Sequence, residues 1–355
     1  MLQSERIQSC SALGAFLQRL LSVTASKELP PHFNDLSLRF QRYLDEGIHY
    51  NGWFTRSELE FSLQGWATLL NETDLTNWLA AYQLPVENPK TIGLILAGNI
   101  PLVGFHDVLS VLMSGHKAKI KRSSNDQELV ALFLEYLVCD QPKWAPQIEL
   151  VDGKLTDFDA VIATGSSNTA RYFEFYFKSK PSIIRRNRNS VGILSGNESH
   201  EQLVALGQDI FRYFGLGCRS VSKLLVPKDY HFEPFFQAMY EYRSVLEYEK
   251  YTNNYDYNKA VYLMSRSELL DNGFLILKKE THYASPIATL HYEEYDSVDE
   301  VRQILERDAD ILQCVVSDLP LAGSIPFGSS QHPLLTDYAD GVDTLAHLTT
   351  WGQHN

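Results

Sequence analysis

A continuous apolar run at residues 91–99, TIGLILAGN, limits the folds available to this chain more than any other stretch. A run of this kind that ends in glycine is typical of a strand buried on both faces of a parallel sheet. Residues 158–167, FDAVIATGSS, repeat the pattern. Helical patterns alternate with such strands along the chain, which predicts an α/β sheet with helices on both faces.

Apolar periodicity also predicts the individual elements, beginning with a helical region over residues 1–85. Further helices are expected at residues 100–115 with Pro101 in the first turn, 126–137 with Asp126 as the cap, 168–177, 199–214 and 298–307. Further strands are expected at residues 116–124, 181–194, 222–228, 259–265, 273–279, 286–292 and 311–317. Together these elements predict two α/β lobes, with the N-terminal helices packed on the first.

Composition and charge exclude several classes of protein. The chain has 355 residues and a net charge of −13, which argues against binding nucleic acid over a broad surface. It has no apolar run of about 18 residues, so no membrane span is predicted. The cysteines at positions 10, 139, 218 and 314 lack CxxC spacing. Neither a disulfide framework nor a metal site is therefore expected, and a reducing cytoplasm is the simpler interpretation.

Residues 214–223, FGLGCRSVSK, place Cys218 behind Gly215 and Gly217 and ahead of Arg219. A thiolate is the reactive form of cysteine, and cations or backbone N–H groups favour it. The glycines allow a tight turn and a close approach of substrate to the backbone. The alternative is a buried small apolar residue, which is the interpretation given to Cys139 and Cys314.

Polar residues follow the predicted strands at three further places. Asn99, at the end of the first strand, is either an oxyanion-hole donor or a helix N-cap. The turn Thr164-Gly165-Ser166 offers backbone N–H groups to an anion, or is simply a capped turn. The stretch KIKRSS at residues 119–124 contains Lys121, Arg122 and Ser124, which suit a phosphomonoester or form a solvated charge run.

Six stretches resemble, in order, motifs of the aldehyde dehydrogenase superfamily: LAGNIP, SGHKAKIKRSS, VIATGSS, GLGCRSVSKLLV, ASPIATLHYEEYDSVDEV and PFGSS. The chain is most similar to its acyl-CoA reductase family, typified by the fatty-acid reductase of bacterial bioluminescence, over roughly residues 90–330. The resemblance implies Cys218 as the nucleophile and Asn99 as the oxyanion donor. It also implies Lys121 on the adenosine ribose, with Thr164, Gly165 and Ser166 on the pyrophosphate.

The resemblance implies a Rossmann-like cofactor lobe and a catalytic lobe, and homo-oligomers such as dimers or tetramers. The expected divisions are an N-terminal helical region at 1–88, a dinucleotide-binding lobe at 89–195, a catalytic lobe at 196–325 and a C-terminal tail at 326–355.

Two departures from the superfamily pattern bear on chemistry. Hydrolytic members have a glutamate base in an ELGGK stretch, whereas this chain has RRNRNSVGIL at residues 185–194. Without a base to activate water, an acyl-cysteine survives to meet a thiol or a hydride. NAD-preferring members often place a glutamate shortly after the lysine, whereas in this chain Lys121 is followed by RSS, which contains no acidic residue. This difference favours NADPH as the cofactor, with NADH as the alternative.

The expected reaction is reduction of a fatty acyl thioester, on CoA or an acyl carrier, to an aldehyde. His106 and His282 are candidate proton donors, although a lone histidine is more often a satisfied polar residue. Arg185, Arg186 and Arg188 either form a basic patch for an acidic carrier or are structural. The rival functions are an aldehyde dehydrogenase that forms acid, an acyl-phosphate reductase and a non-catalytic acyl-binding scaffold.

Overall fold

A computed structural model describes residues 1–22 and 33–353. Its α-helices are α1 (Gln3–Leu21), α2 (Asn34–Tyr50), α3 (Arg56–Leu69), α4 (Glu72–Leu79), α5 (Phe105–Ser114), α6 (Leu129–Asp140), α7 (Ser167–Phe177), α8 (His200–Phe211), α9 (Glu233–Met239), α10 (Glu249–Met264), α11 (Val298–Arg307) and α12 (Thr344–Gln353). Within the described residues, none of these helices has the length and hydropathy that crossing a membrane requires.

The strands begin at residue 91, and α-helices lie between many, but not all, consecutive strands. They are β1 (Thr91–Ile95), β2 (Lys117–Lys121), β3 (Ile148–Val151), β4 (Ala160–Thr164), β5 (Ser182–Arg185), β6 (Asn189–Ile193), β7 (Val221–Pro227), β8 (Leu269–Asp271), β9 (Ile276–Lys279), β10 (Thr289–Tyr295) and β11 (Leu312–Val316). One sheet has the order β3-β2-β1-β4-β5 and the other β11-β6-β7-β10-β9-β8. All pairings are parallel except that of β8 with β9.

The first compact unit comprises residues 1–186 and 334–355 and contains the first sheet. The helices α1, α2, α3, α5 and α6 build a large apolar core against one face of this sheet. Residues from α12 join the same core, so part of the segment set apart in the sequence as a tail belongs to this unit. A smaller cluster around Phe158, Val161 and Phe173 covers the other face.

The second unit comprises residues 187–333 and contains the second sheet. Buried side chains from β6, β7 and α11, including Val191, Leu225 and Val301, form one of its apolar clusters. At the start of its helix α8, Ser199 and Gln202 form a capping box. Such reciprocal hydrogen bonds satisfy amide groups that a helix start otherwise leaves without partners.

Several predicted elements need correction. The strand expected at 181–194 forms two strands, β5 and β6, which belong to different sheets, and the helix expected at 199–214 ends at Phe211. The strand expected at 259–265 is wrong, because these residues end α10, in which Tyr251, Tyr255 and Asn258 are buried at helical spacing. Its apolar run faces solvent, with Met264 85% exposed. The helix expected at 100–115 begins only at Phe105, since residues 100–104 form turns, and the helix expected at 126 begins at Leu129.

Two helical glycines give a matched test of the packing in the first unit. A Cβ on Gly14 of α1 would lie 2.1 Å from the carbonyl oxygen of Leu70, whereas one on Gly65 of α3 meets nothing within 4 Å. We expect Gly14→Ala to lower the free energy of unfolding by about 1–3 kcal/mol. Gly65→Ala should be neutral or raise it by up to about 1 kcal/mol. Denaturant titration measures both, and equal effects would contradict the packing of α1 against Leu70.

Candidate active site

The candidate cofactor residues lie at one edge of the first sheet. Ile95 of β1 is in register with Lys121 of β2 and with Ala163 of β4. These parallel strands therefore end side by side, and the loops that follow them leave the sheet at its carboxyl edge. The order β3-β2-β1-β4-β5 reverses direction between β1 and β4. Ligands of open α/β sheets bind in the crevice at such a switch point.

Asn99 lies in the loop after β1 with an exposed side chain. The first helix after this loop, α5, has Gly104 as its N-cap. Asn99 therefore precedes the cap by five residues, and the alternative interpretation of Asn99 as the helix cap is wrong. An exposed amide on a loop at the carboxyl edge remains compatible with donation to a ligand.

Several contacts fix the loop that carries Asn99. Gly98 lies against Ser123, since a Cβ added at Gly98 would be 2.5 Å from the serine hydroxyl oxygen. The Asn51 side-chain amide donates to the Gly98 carbonyl at 3.4 Å. The Asp126 carboxylate accepts from the Leu102 N–H at 3.1 Å, and burial raises the pKa of Asp126 to about 6. The loop is thus held on both sides of Asn99.

The residues of the basic stretch at the end of β2 differ in whether they already bond to other parts of the protein. Lys121 ends β2 and is half-buried. The Arg122 guanidinium donates to the Gln127 carbonyl at 2.7 Å and to the Asp152 carboxylate at 2.8 Å. Ser124 is exposed in the following turn. Lys121 and Ser124 are therefore better placed than Arg122 to meet a ligand without breaking existing bonds.

The turn after β4 leads directly into α7. Ser166 caps this helix, and its hydroxyl accepts from the Thr169 N–H at 3.3 Å. A Cβ on Gly165 would lie 2.9 Å from the Thr169 Cβ, so the turn packs closely on the helix. Amide groups at a helix start attract anions. The switch point, this helix start and Lys121 share one edge, so the residues present fit a dinucleotide.

In the second unit, Cys218 occupies a turn immediately before β7. The Ser220 N–H donates to the Gly217 carbonyl at 3.0 Å, which closes the turn. The buried Ser190 hydroxyl of β6 donates to the Cys218 carbonyl at 2.9 Å. Cys218 itself is half-buried, whereas Cys10 and Cys314 are buried and Cys139 is exposed. The interpretation of Cys139 as a buried apolar residue is therefore wrong.

The backbone just before this turn is strained. Tyr213, Phe214 and Gly215 have φ values of 53°, 54° and 75°. Non-glycine residues in this region cost about 1–2 kcal/mol each, and such costs persist only where the surroundings impose them. The Phe214 ring is held edge-on to Tyr248 at 5.0 Å between centroids. The backbone conformation that leads into the Cys218 turn is therefore fixed by the surrounding side chains.

The histidines suggested as proton donors differ in their surroundings. His106 bonds to the Leu335 carbonyl at 2.9 Å and packs against Trp78 and Tyr338, and burial lowers its pKa. It is a satisfied structural residue. His282 is exposed in the second unit, where its carbonyl bonds to the His291 ring.

The three arginines suggested as a basic patch are mostly structural. Arg185 is buried and forms a bidentate pair with Asp107, at 2.6 and 2.9 Å. Burial alone would raise the pKa of Asp107, but the guanidinium overcomes this effect and holds it below its usual value. Arg188 donates to the carbonyls of Ala309 and Leu312. Only Arg186 is exposed, and it pairs with Glu174.

Sequence reasoning missed Asp209, which is completely buried on α8. Its carboxylate accepts from the N–H groups of Gly328 at 2.6 Å and Ser330 at 2.9 Å. The available signal was a charged residue on the apolar stripe formed by Leu206 and Ile210. A charge at a core-facing position needs a specific set of partners.

Comparison with known proteins places this arrangement in one fold class. No family model matches the chain, and no curated protein matches it in sequence. The fold, however, is that of the aldehyde dehydrogenases, which confirms the predicted architecture of two α/β lobes with an N-terminal helical region.

Three solved structures illustrate this likeness. One is an indole-3-acetaldehyde dehydrogenase of P. syringae in complex with NAD+ and IAA, with a TM-score of 0.61 and 12% identity over 91% of this chain and 74% of its own. An NAD-dependent aldehyde dehydrogenase from Sinorhizobium meliloti has a TM-score of 0.59 and 12% sequence identity, and the match covers 89% of this chain and 70% of the dehydrogenase. Aldehyde dehydrogenase 21 from Physcomitrella patens, in complex with the reaction product succinate, has a TM-score of 0.57 and 13% sequence identity. The match covers 87% of this chain and 73% of that dehydrogenase.

Proposed function

We propose that this protein reduces an acyl thioester, such as a fatty acyl-CoA, to an aldehyde through an acyl-Cys218 intermediate. One observation favours reduction of the acyl-enzyme over its hydrolysis. Residues 181–197, which run through β5 and β6, contain no aspartate or glutamate. This is the region in which hydrolytic relatives of the resembled superfamily have their glutamate base. An acyl-cysteine without a base to activate water persists long enough to be reduced.

The chain's own residues account for the acyl-transfer half of this reaction. The Cys218 thiolate attacks the acyl carbonyl and expels the carrier thiolate, which leaves an acyl-thioester on the enzyme. The turn at 217–220, held by Ser190, supports the sulfur at a fixed position on the backbone. The Cys218 N–H and the exposed Asn99 amide are the proposed donors to the oxyanion, where one donor contributes about 2.7–4 kcal/mol.

The hydride that takes the acyl carbon to the aldehyde level is what a reduced nicotinamide cofactor supplies when bound. Lys121 would contact its adenosine ribose, and the turn Thr164-Gly165-Ser166 its pyrophosphate. Several of the similar structures are named as NAD+ complexes. We propose NADPH as the preferred form, since Lys121 and Ser124 offer a cation and a hydroxyl to a 2′-phosphate. Collapse of the thiohemiacetal then releases the aldehyde and regenerates the Cys218 thiolate.

Substitution of Lys121 tests the cofactor preference. We expect Lys121→Met to raise the KM for NADPH roughly tenfold or more, because a hydrogen bond to a charged group contributes about 1.5–3 kcal/mol. The KM for NADH should rise less. Lys119→Met is the matched control, since Lys119 lies on the same strand but pairs with Glu149 at 3.1 Å. Equal changes for the two cofactors would contradict a 2′-phosphate pocket at Lys121.

The likeness to structures named aldehyde dehydrogenases favours a second candidate, oxidation of an aldehyde to an acid. Product analysis separates the two. The protein is incubated with acyl-CoA and NADPH, and separately with aldehyde and NAD+ or NADP+, and the products are identified by mass spectrometry. The proposal expects aldehyde and free CoA in the first reaction. Free acid from the aldehyde in water, with acyl-CoA left intact, would select the second candidate instead.

A further inference from the structure

A loop at residues 326–331 is bonded to the turn that carries Cys218. The Arg219 Nε donates to the Ser330 carbonyl at 2.6 Å. The Gln331 side-chain amide donates to the Ser220 hydroxyl at 3.3 Å. Both residues that directly follow Cys218 are therefore held by this loop, which lies more than 100 residues further along the chain.

The loop is in turn held by Asp209. This carboxylate is completely buried on α8 and accepts two backbone N–H groups, from Gly328 at 2.6 Å and from Ser330 at 2.9 Å. Two acceptor oxygens facing two donors of one loop fix both its position and its orientation. Burial raises the pKa of Asp209, whereas these amide bonds favour its charged form.

Ser330 joins the two sets of contacts. Its N–H donates to Asp209 and its carbonyl accepts from Arg219, so one residue connects the buried carboxylate to the guanidinium beside Cys218. A purely apolar helix face would pack the loop without orienting its backbone. A buried carboxylate costs free energy unless it is well bonded, and here its bonds are made to the loop that holds the Cys218 turn.

We propose that Asp209 is a positioning residue for Cys218, acting through Ser330 and Arg219. That Cys218 is the reacting residue rests on the function proposed above, but the mechanical connection does not. When the connection is broken, the turn at 217–220 loosens. The sulfur of the half-buried Cys218 residue then becomes more accessible, and at the same time less well placed for acyl transfer.

The test uses the chain's own cysteines as reporters. The full-length protein and its Asp209→Asn and Arg219→Lys variants are treated with iodoacetamide, and the alkylation rate of each cysteine is mapped by mass spectrometry. Asparagine keeps the shape of Asp209 but has one acceptor fewer, and lysine keeps the charge of Arg219 but lacks its Nε. We expect Cys218 to be alkylated roughly threefold faster or more in each variant. The exposed Cys139 should not change, and the buried Cys314 should stay protected.

The double variant tests whether the two residues act in one connection. Residues in one network show non-additive effects, so the double variant should be no faster than the quicker single variant. Multiplied effects, or an unchanged Cys218, would overturn the proposal. Faster alkylation of Cys314 together with Cys218 would also overturn it, because that pattern indicates loosening of the whole unit. If Asp209→Asn fails to fold, Arg219→Lys alone still decides on accessibility.

Catalysis provides a separate measurement. With acyl-CoA and NADPH, both variants should lose about tenfold or more in kcat, since a misplacement of about 1 Å can cost about 10²-fold. The KM for acyl-CoA should change less than twofold. A wild-type protein that does not reduce acyl-CoA would defeat the proposed function only, because the alkylation pattern needs no substrate and still decides on the positioning role.

Discussion

The Cys218→Ala variant is expected to lose all covalent labelling by radioactive acyl-CoA and to lose reductase activity by a factor on the order of 10⁴ or more. The methyl group of alanine cannot attack a carbonyl, so no acyl-enzyme forms and the reaction has no first step. The half-buried position of Cys218 on a closed turn suggests that the protein will still fold without the sulfur. Autoradiography of the denatured protein measures the labelling.

Cys139→Ala is the matched control for this experiment. Cys139 is the more exposed thiol, so a non-specific acyl transfer would reach it first. Burial raises the pKa of Cys139, which lowers its thiolate fraction. We expect this variant to label and turn over like the wild type. Labelling that persists in Cys218→Ala and disappears in Cys139→Ala would reverse the assignment.

The second large effect is expected at Asn99. Asn99→Ala should lower kcat by about 10²–10³, because an oxyanion-hole donor contributes about 2.7–4 kcal/mol in the transition state. The KM for acyl-CoA should change little, since this contact strengthens only as charge develops on the oxygen. Steady-state kinetics with saturating NADPH separates the two parameters.

Asn88→Ala controls for the loss of an asparagine in the same unit. Asn88 is exposed and lies before β1, where its backbone N–H donates to Gly352. Its side chain should be dispensable. The oxyanion role would be contradicted by a loss in Asn99→Ala that appears in KM alone, or by a loss that accompanies a lowered melting temperature.

Much of the fold could be predicted from the sequence because buried parallel strands leave a strong local signal. The apolar runs that became β1 and β4 are surrounded by helices on one side and a small cluster on the other, so both faces needed apolar residues. The same reasoning failed at residues 259–265. There an apolar run at the end of α10 faces solvent, and local hydrophobicity alone does not distinguish exposure from burial.

The candidate site also has a part that could be predicted from the sequence and a part that could not. Asn99, Lys121 and Thr164 could be placed together because parallel strands end at one edge, and the register of β1 with β2 and β4 brings them there. The partners of Asp209 and Arg185 could not be predicted from the sequence. Their partners lie 119 residues away for the Asp209–Gly328 contact and 78 for the Arg185–Asp107 contact. Only the three-dimensional fold brings such groups into contact.

The lifetime of an acyl group on Cys218 tests the account most directly. The protein is incubated with acyl-CoA without cofactor and followed by intact mass and peptide mapping, and NADPH is then added. We predict a single acyl adduct on Cys218 that persists in water and disappears on addition of NADPH, with one aldehyde released for each adduct lost. An adduct that hydrolyses to free acid equally fast without NADPH, or that maps to another residue, would contradict the proposed reduction.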